Sequence, residues 1–282
     1  AELLRARTRL APKLTPTGHP WAALVAFDAA MVAAVLDFDF VAVGNERSSN
    51  HGNGVFIEGA KGRLEVNHQF DKSFEFESAF HEYAQKHIHH GLHHFSALQG
   101  LWELQIAKIF STRLRPYFGL FISCNNSGGG RWWCLKCEKC CFVCAVLAAF
   151  LQPADLEVIF GRDLLEDAAL VSIFRDLTGV CLSQKPFECV GEAQEALVSL
   201  ALARARRRGS ESRKAVCLEK LAEELDACQS CMARSLLVGG PVAEDENGPR
   251  QGLYPTWWVW PSEITRNLLE EASDAEAALA QS

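Results

Sequence analysis

Apolar and polar positions divide the chain into a few legible runs. Trp21 to Leu36 is apolar almost throughout, broken by Asp28, and follows Gly18, His19 and Pro20. The run is shorter than the ~20 residues a membrane span requires, so it predicts a buried helix. Phe38 to Val43 (FDFVAV) predicts a short strand that ends at Gly44 in a polar loop, residues 45–54. A helix, an apolar strand and a polar loop at the strand's carboxyl end form the α/β pattern, which places ligands at that end. Val66 to Glu77 interleaves aromatic and polar residues and reads as an extended amphipathic stretch, with Glu75 and Glu77 on one face. It feeds a helix over 78–90, then an amphipathic helix over Ser96 to Phe110 and a strand over Phe118 to Ser123. Beyond Cys144 the pattern is helical: 146–151, 153–161, 163–177, 192–206 and 212–237, then an acidic helix that Ser262 N-caps. The chain thus divides into residues 1–152, α/β in character, and a mostly helical part, 153–282.

Six of the eleven cysteines lie between Phe121 and Cys144. Cys124, Cys134, Cys137 and Cys140 fall in a C-x9-C-x2-C-x2-C pattern, which suits four thiolates converging on a tetrahedral Zn²⁺. The alternative is a set of buried thiols, and it fits Cys141 and Cys144, which share an apolar helical run. No secretory signal precedes the cysteines. A reduced, cytoplasmic compartment and metal binding are therefore expected, not a disulfide framework. Cys228 and Cys231, two ligands without a partner pair, read as helix packing. The five histidines between His87 and His94 read as a solvated surface, and Arg204 to Arg208 as a solvated helix end favoured by the helix dipole. Ser127 to Gly130 reads as a spacer inside the cysteine element, and Trp257, Trp258 and Trp260 as a segment packed on a groove or partner.

At 282 residues and 49% apolar composition the chain can bury a core. A net charge of −7 and a pI near 5.8 argue against nucleic-acid binding, and no membrane span is evident. Candidate chemistry outside the cysteines starts in the loop after the strand. Asn45, Glu46, Arg47, Ser48 and Asn50 put an acid, a base and amide donors in one turn, suited to a ribose, a phosphate or a metal-bound nucleotide, although Asn and Ser also build ordinary turns. Lys72, Glu75 and Glu77 offer cation and carboxylate chemistry for charge stabilisation or proton transfer.

GNERSSN at 44–50, VNHQFDKSFEFE at 66–77, ELQIAKIF at 103–110, SCN at 123–125, WCLKCEKCCFV at 133–143 and PFECVG at 186–191 occur in this order. Together they resemble the UDP-N-acetyl-α-D-muramoyl-L-alanyl-L-glutamate epimerase family of peptidoglycan precursor synthesis. The resemblance covers Gly18 to Ala203. It implies inversion of the terminal L-glutamate of the UDP-muramoyl dipeptide to D-glutamate, with ATP and Mg²⁺, through a carboxyl adenylate. It also implies an adenine-nucleotide α-hydrolase-like (PP-loop) fold, a parallel sheet of which residues 1–152 hold the C-terminal part. Glu46, Arg47, Ser48 and Asn50 would face nucleotide or activated substrate, and Lys72 and Glu75 would handle charge or protons. The cysteine spacing is also similar to that of 7-cyano-7-deazaguanine synthases, which are ATP-dependent and carry a zinc.

The family's SGGxDS pyrophosphate loop is missing here, and the chain starts on Ala1, so a start downstream of that loop is expected. Leu135 and Glu138 stand where the family usually has Gly and Pro after knuckle cysteines. Two other readings stay open: a deazaguanine-synthase-like ligase, and a non-catalytic, zinc-stabilised binding module. A thiol acid/base using Cys189 or an unligated knuckle cysteine is a chemical alternative for the epimerisation. Oligomeric state is not legible.

Overall fold

The computed structural model describes residues 20–59, 62–124, 126, 133–179, 186–207 and 215–222. The 127–130 spacer, Cys228, Cys231, the tryptophan segment and the C-terminal helix lie outside them.

Helix α1 spans Trp21–Leu36, as the apolar run predicts, and Asp71 closes its start: Ala22 N and Ala23 N donate to Asp71 Oδ2 at 2.8 and 3.2 Å. A carboxylate at a helix N-terminus satisfies orphan N–H groups and meets the positive end of the dipole. The predicted burial is corrected. Only Ala26, Ala30 and Ala33 are buried, a narrow stripe at helical spacing, whereas Trp21 is 72% exposed and Val35 78%. No helix among the described residues is long and apolar enough to cross a membrane.

Strand β1 (Phe40–Val43) pairs in parallel with a later strand, His93–Ser96, from Phe40↔His93 to Val43↔Ser96. Between them come an antiparallel hairpin, β2 (Phe56–Gly59) and β3 (Gly62–Glu65), and helix α2 (Phe74–His87); the later strand is therefore β4. Parallel strands need such a crossover. The structure is mixed α/β, with a small parallel sheet.

Helix α2 begins four residues before the expected helix. Ser73 is the reason: its hydroxyl accepts from Phe76 N and caps the first turn, after a 3-10 turn over Phe70–Lys72. Residues 74–77 are therefore helical, not extended. Two positions apart on a helix are about 200° apart, so Glu75 is exposed while Glu77 is 3% exposed. The histidine segment is likewise corrected. His93 and His94 form part of β4, and His94 lies against Phe80, with ring centroids 4.8 Å apart. Burial, then His81, pulls the His94 pKa down to about 4. Ser96 to Leu101 finishes the strand and turns, so helix α3 starts at Glu103 and runs to Arg113. No strand forms over Phe118 to Ser123; a 3-10 turn at Arg115–Tyr117 and irregular backbone lead to the cysteines.

Helix α4 (Glu138–Ala148) is the hub of the larger core, with every residue from Cys140 to Ala148 buried. It packs against α3, α5 (Pro153–Phe160), α6 (Val171–Leu177) and α7 (Ala193–Arg207), and α8 (Val216–Lys220) packs on α6. The helix expected over 163–177 is two 3-10 turns followed by α6, because Asp163 and Asp167 accept from Leu165 N and Ala169 N and hold separate turns. The basic end of α7 is not simply solvated: Arg207 pairs with buried Asp163, and Arg206 Nε donates to Ala149 O at 3.1 Å. A smaller core joins α1, α2 and Leu92 beneath β4.

Candidate active site and cysteine centre

The Sγ atoms of Cys124, Cys134, Cys137 and Cys140 all lie within 4.8 Å of one another. Cys134 to Cys140 is 3.7 Å and Cys137 to Cys140 3.5 Å. Four sulfurs at ~2.3 Å from one tetrahedral ion would sit about 3.8 Å apart, whereas a disulfide needs ~2.0 Å. The set therefore fits a metal and is not bonded sulfur to sulfur. Backbone donors face these sulfurs: Asn126 N and Cys134 N donate to Cys124 Sγ at 3.3 Å, and Cys140 N to Cys137 Sγ at 3.5 Å. Such bonds suit thiolates. The hydrogen bond with the Cys140 sulfur comes first among the effects that hold the Cys137 pKa down at about 5, against the pull of burial. Leu135 takes φ 61°, the left-handed region, which explains why glycine suits this knuckle position. Cys141 and Cys144 are buried and burial pushes their thiols up, in line with a packing role.

The second constellation forms at the carboxyl ends of β1 and β4. Ser96 Oγ donates to Val43 O and Asn45 O, and Arg47 N donates to Leu101 O at 2.9 Å, so the two post-strand loops interlock. The 3-10 turn Arg47–Asn50 is built by its own polar side chains. Ser49 Oγ donates to Glu46 O and Lys72 O; Asn50 Nδ2 donates to Arg47 O and Gln99 Oε1, while its Oδ1 accepts from Phe74 N. Ser48, fully buried, donates from Oγ to Glu103 Oε2 at 3.2 Å. Asn45, Glu46 and Arg47 remain partly exposed at the rim, with the Arg47 guanidinium 4.9 Å from the Trp102 ring centre.

Lys72 lies beside this turn. Its Nζ donates to Gln69 Oε1 at 3.4 Å and to Cys189 Sγ at 3.3 Å. Burial alone would lower the Lys72 pKa, but Glu46, Cys189 and Glu103 more than offset it, and the group ends above its ordinary value. It is a permanent ammonium at neutral pH. Behind it, Lys139 Nζ sits 3.5 Å from Glu103 Oε1, and Glu195 accepts from Leu104 N and Glu192 N at 3.0 Å. Burial, then the Glu103 carboxylate, pushes the Glu195 pKa up to about 8. Gly191 is required by this arrangement: a Cβ there would lie 2.3 Å from Glu103 Oε2 and 2.5 Å from Phe142 Cζ. The structure thus brings Lys72 to the 44–50 turn and leaves Glu75 on the exposed first turn of α2. Sequence reasoning missed Glu103, Glu195 and Lys139 altogether. Two of them lay inside the quoted ELQIAKIF and KCEKCC stretches, but no spacing links them.

Models of the MurL N-terminal domain and the MurL C-terminal domain match residues 5–97 and 120–235. The chain belongs to the UDP-N-acetyl-α-D-muramoyl-L-alanyl-L-glutamate epimerase family. A protein of that name from Xanthomonas oryzae pv. oryzae is 39% identical over 183 residues, which is 62% of this chain and 39% of the relative. Its namesakes in Salinispora tropica and a Micromonospora strain are each 35% identical over 211 residues, 71% of this chain and 45% and 46% of theirs. The chain therefore spans less than half the length of these relatives. No solved structure matches it.

Proposed function

We propose that this chain forms part of an epimerase that inverts the terminal L-glutamate of UDP-N-acetylmuramoyl-L-alanyl-L-glutamate. The observation that carries the reading is the Lys72 side chain, hydrogen-bonded to Gln69 Oε1 and Cys189 Sγ beside the turn at the carboxyl ends of two parallel strands, in a chain of that family. An α-proton next to a carboxylate is hard to remove. ATP and Mg²⁺, when bound, would supply activation of the carboxyl as an adenylate, whose carbonyl would take up the developing negative charge. Lys72 faces that charge, in the role of an electrostatic stabiliser. Glu75 offers a carboxylate for proton transfer at the exposed start of α2. Glu46 and Arg47 offer a carboxylate for Mg²⁺ and a guanidinium for phosphate, on the turn that Asn45, Ser48 and Asn50 shape. The parallel pair belongs to a PP-loop-type sheet in this reading.

Cys124, Cys134, Cys137 and Cys140 would hold one structural zinc, which would pin α4 to the segment before it. Incubation of the full-length protein with UDP-MurNAc-L-Ala-L-Glu, ATP and Mg²⁺ should release AMP and pyrophosphate and yield D-glutamate after hydrolysis. No D-glutamate and no AMP would sink the reading.

A further inference from the structure

The PFECVG segment carries a thiol that no step above uses. Cys189 sits 117 positions along the chain from Lys72, and Lys72 Nζ donates to its sulfur at 3.3 Å. Among the described cysteines outside the cysteine centre, Cys141, Cys144 and Cys217 are buried and Cys189 is partly buried. A second, independent feature points the same way. Gln69 is 1% exposed, and its Nε2 is buried without a hydrogen-bond partner while its Oε1 accepts from Lys72 Nζ. Buried amide donors are almost always satisfied, so an unmet N–H beside an ammonium asks for an acceptor from outside the protein. The backbone fixes this grouping: Asn53 Nδ2 donates to Pro186 O at 3.2 Å, and Gly191 packs on the Glu103 and Glu195 carboxylates.

A sulfur that accepts from an ammonium, beside an unmet amide donor, has the makings of an acid–base group next to an oxyanion site. We propose that Cys189 is the catalytic acid–base residue that takes the α-proton of the activated glutamate, with Lys72 and Gln69 Nε2 facing the carbonyl oxygen. This rests on the epimerase reading. In the step, the Cα–H bond breaks and an S–H bond forms on a Cys189 thiolate. The C–H electron pair moves into the bond to the carbonyl carbon, and the negative charge comes to rest on the carbonyl oxygen. A proton from water, delivered to the opposite face, completes the inverted centre, and the thiol returns its own proton to water.

The test uses the full-length protein in D₂O, with product deuteration, D-glutamate and pyrophosphate followed together. Cys189→Ala should lose D-glutamate formation and α-deuteration by about 100-fold or more, the usual worth of a positioned acid–base group. Its substrate-dependent pyrophosphate release should stay within several-fold of wild type, which a merely structural defect would not allow. Alkylation of wild type by iodoacetamide, read by mass spectrometry, should modify Cys189, abolish epimerisation and be slowed by the UDP-dipeptide. The alkylation arm decides the matter even for a variant that fails to fold. Epimerisation by Cys189→Ala at the wild-type rate, or by fully alkylated enzyme, overturns the proposal alone. A wild type that makes no D-glutamate overturns the epimerase reading and this proposal with it.

Discussion

Arg207 Nη2 lies 2.7 Å from Asp163 Oδ2, and both side chains are sealed from water, at 8% and 0% exposure. The pair ties the end of α7 to the turn after α5. Removing one member of a buried ion pair leaves the other charged and unsolvated, which costs about 3–5 kcal/mol. Arg207→Ala should therefore lower unfolding stability by that amount in urea titrations. A loss under about 1 kcal/mol would mark the pair as a surface bridge.

Glu77 and His94 make stability depend on pH in opposite directions. Burial pushes the Glu77 carboxyl up to about 7, despite hydrogen bonds from Ser96 N and the Gln99 side chain that lower it. The folded chain then binds more protons than the unfolded one between pH about 4.5 and 7, so this group's contribution is full below that window and lost as pH rises through it. The swing is about 3 kcal/mol, at 1.36 kcal/mol per unit. His94, lowered to about 4, does the reverse, and its contribution is lost as pH falls from about 6.5 through 4. The wild-type minus Glu77→Gln difference in unfolding free energy should fall with pH across that window. The wild-type minus His94→Phe difference should rise. Flat differences would contradict both assignments.

Zinc content is checked directly. The protein purified without chelator should carry one zinc per chain by elemental analysis, and Cys137→Ser should lose it. Strong chelators should lower the melting temperature of wild type and leave that of Cys137→Ser unmoved, because ligand free energy is folding free energy in such sites.

Leu135 sets up a more delicate balance. Its left-handed backbone costs ~1–2 kcal/mol for an L-residue, and its side chain packs partly on the large core. Leu135→Gly relieves the first and forfeits the second. The net change should stay within about 1 kcal/mol, against about 2–5 kcal/mol for an ordinary buried leucine truncation. Chemical denaturation distinguishes the two.

The cysteine centre is legible in the sequence because three of its ligands follow one another with two residues between them and the fourth closes a short loop. The strand-end loop is legible for a similar reason, since FDFVAV runs directly into it. Burial is less so. The apolar character of Trp21–Leu36 correctly marks a helix, but hydrophobicity does not say what covers it, and the structure buries only three alanines. The start of α2 depends on one hydroxyl at Ser73, a signal that alternating aromatics at 74 and 76 override in a pattern reading. The rest of the site depends on pairs far apart in sequence. Lys72 with Cys189 and Glu103 with Lys139 have no local signature: two irregular segments meet in the first pair, and α3 packing on α4 makes the second.

Cys137 has two tasks. Its sulfur belongs to the four-cysteine set, and it also accepts from Cys140 N to cap α4. The start of the central helix and the integrity of the sulfur cluster therefore open together, as one cooperative unit. Backbone amides at 140 and 141 should exchange with deuterated water in step with loss of the cluster, and α3 and α7, packed on the same helix, should follow.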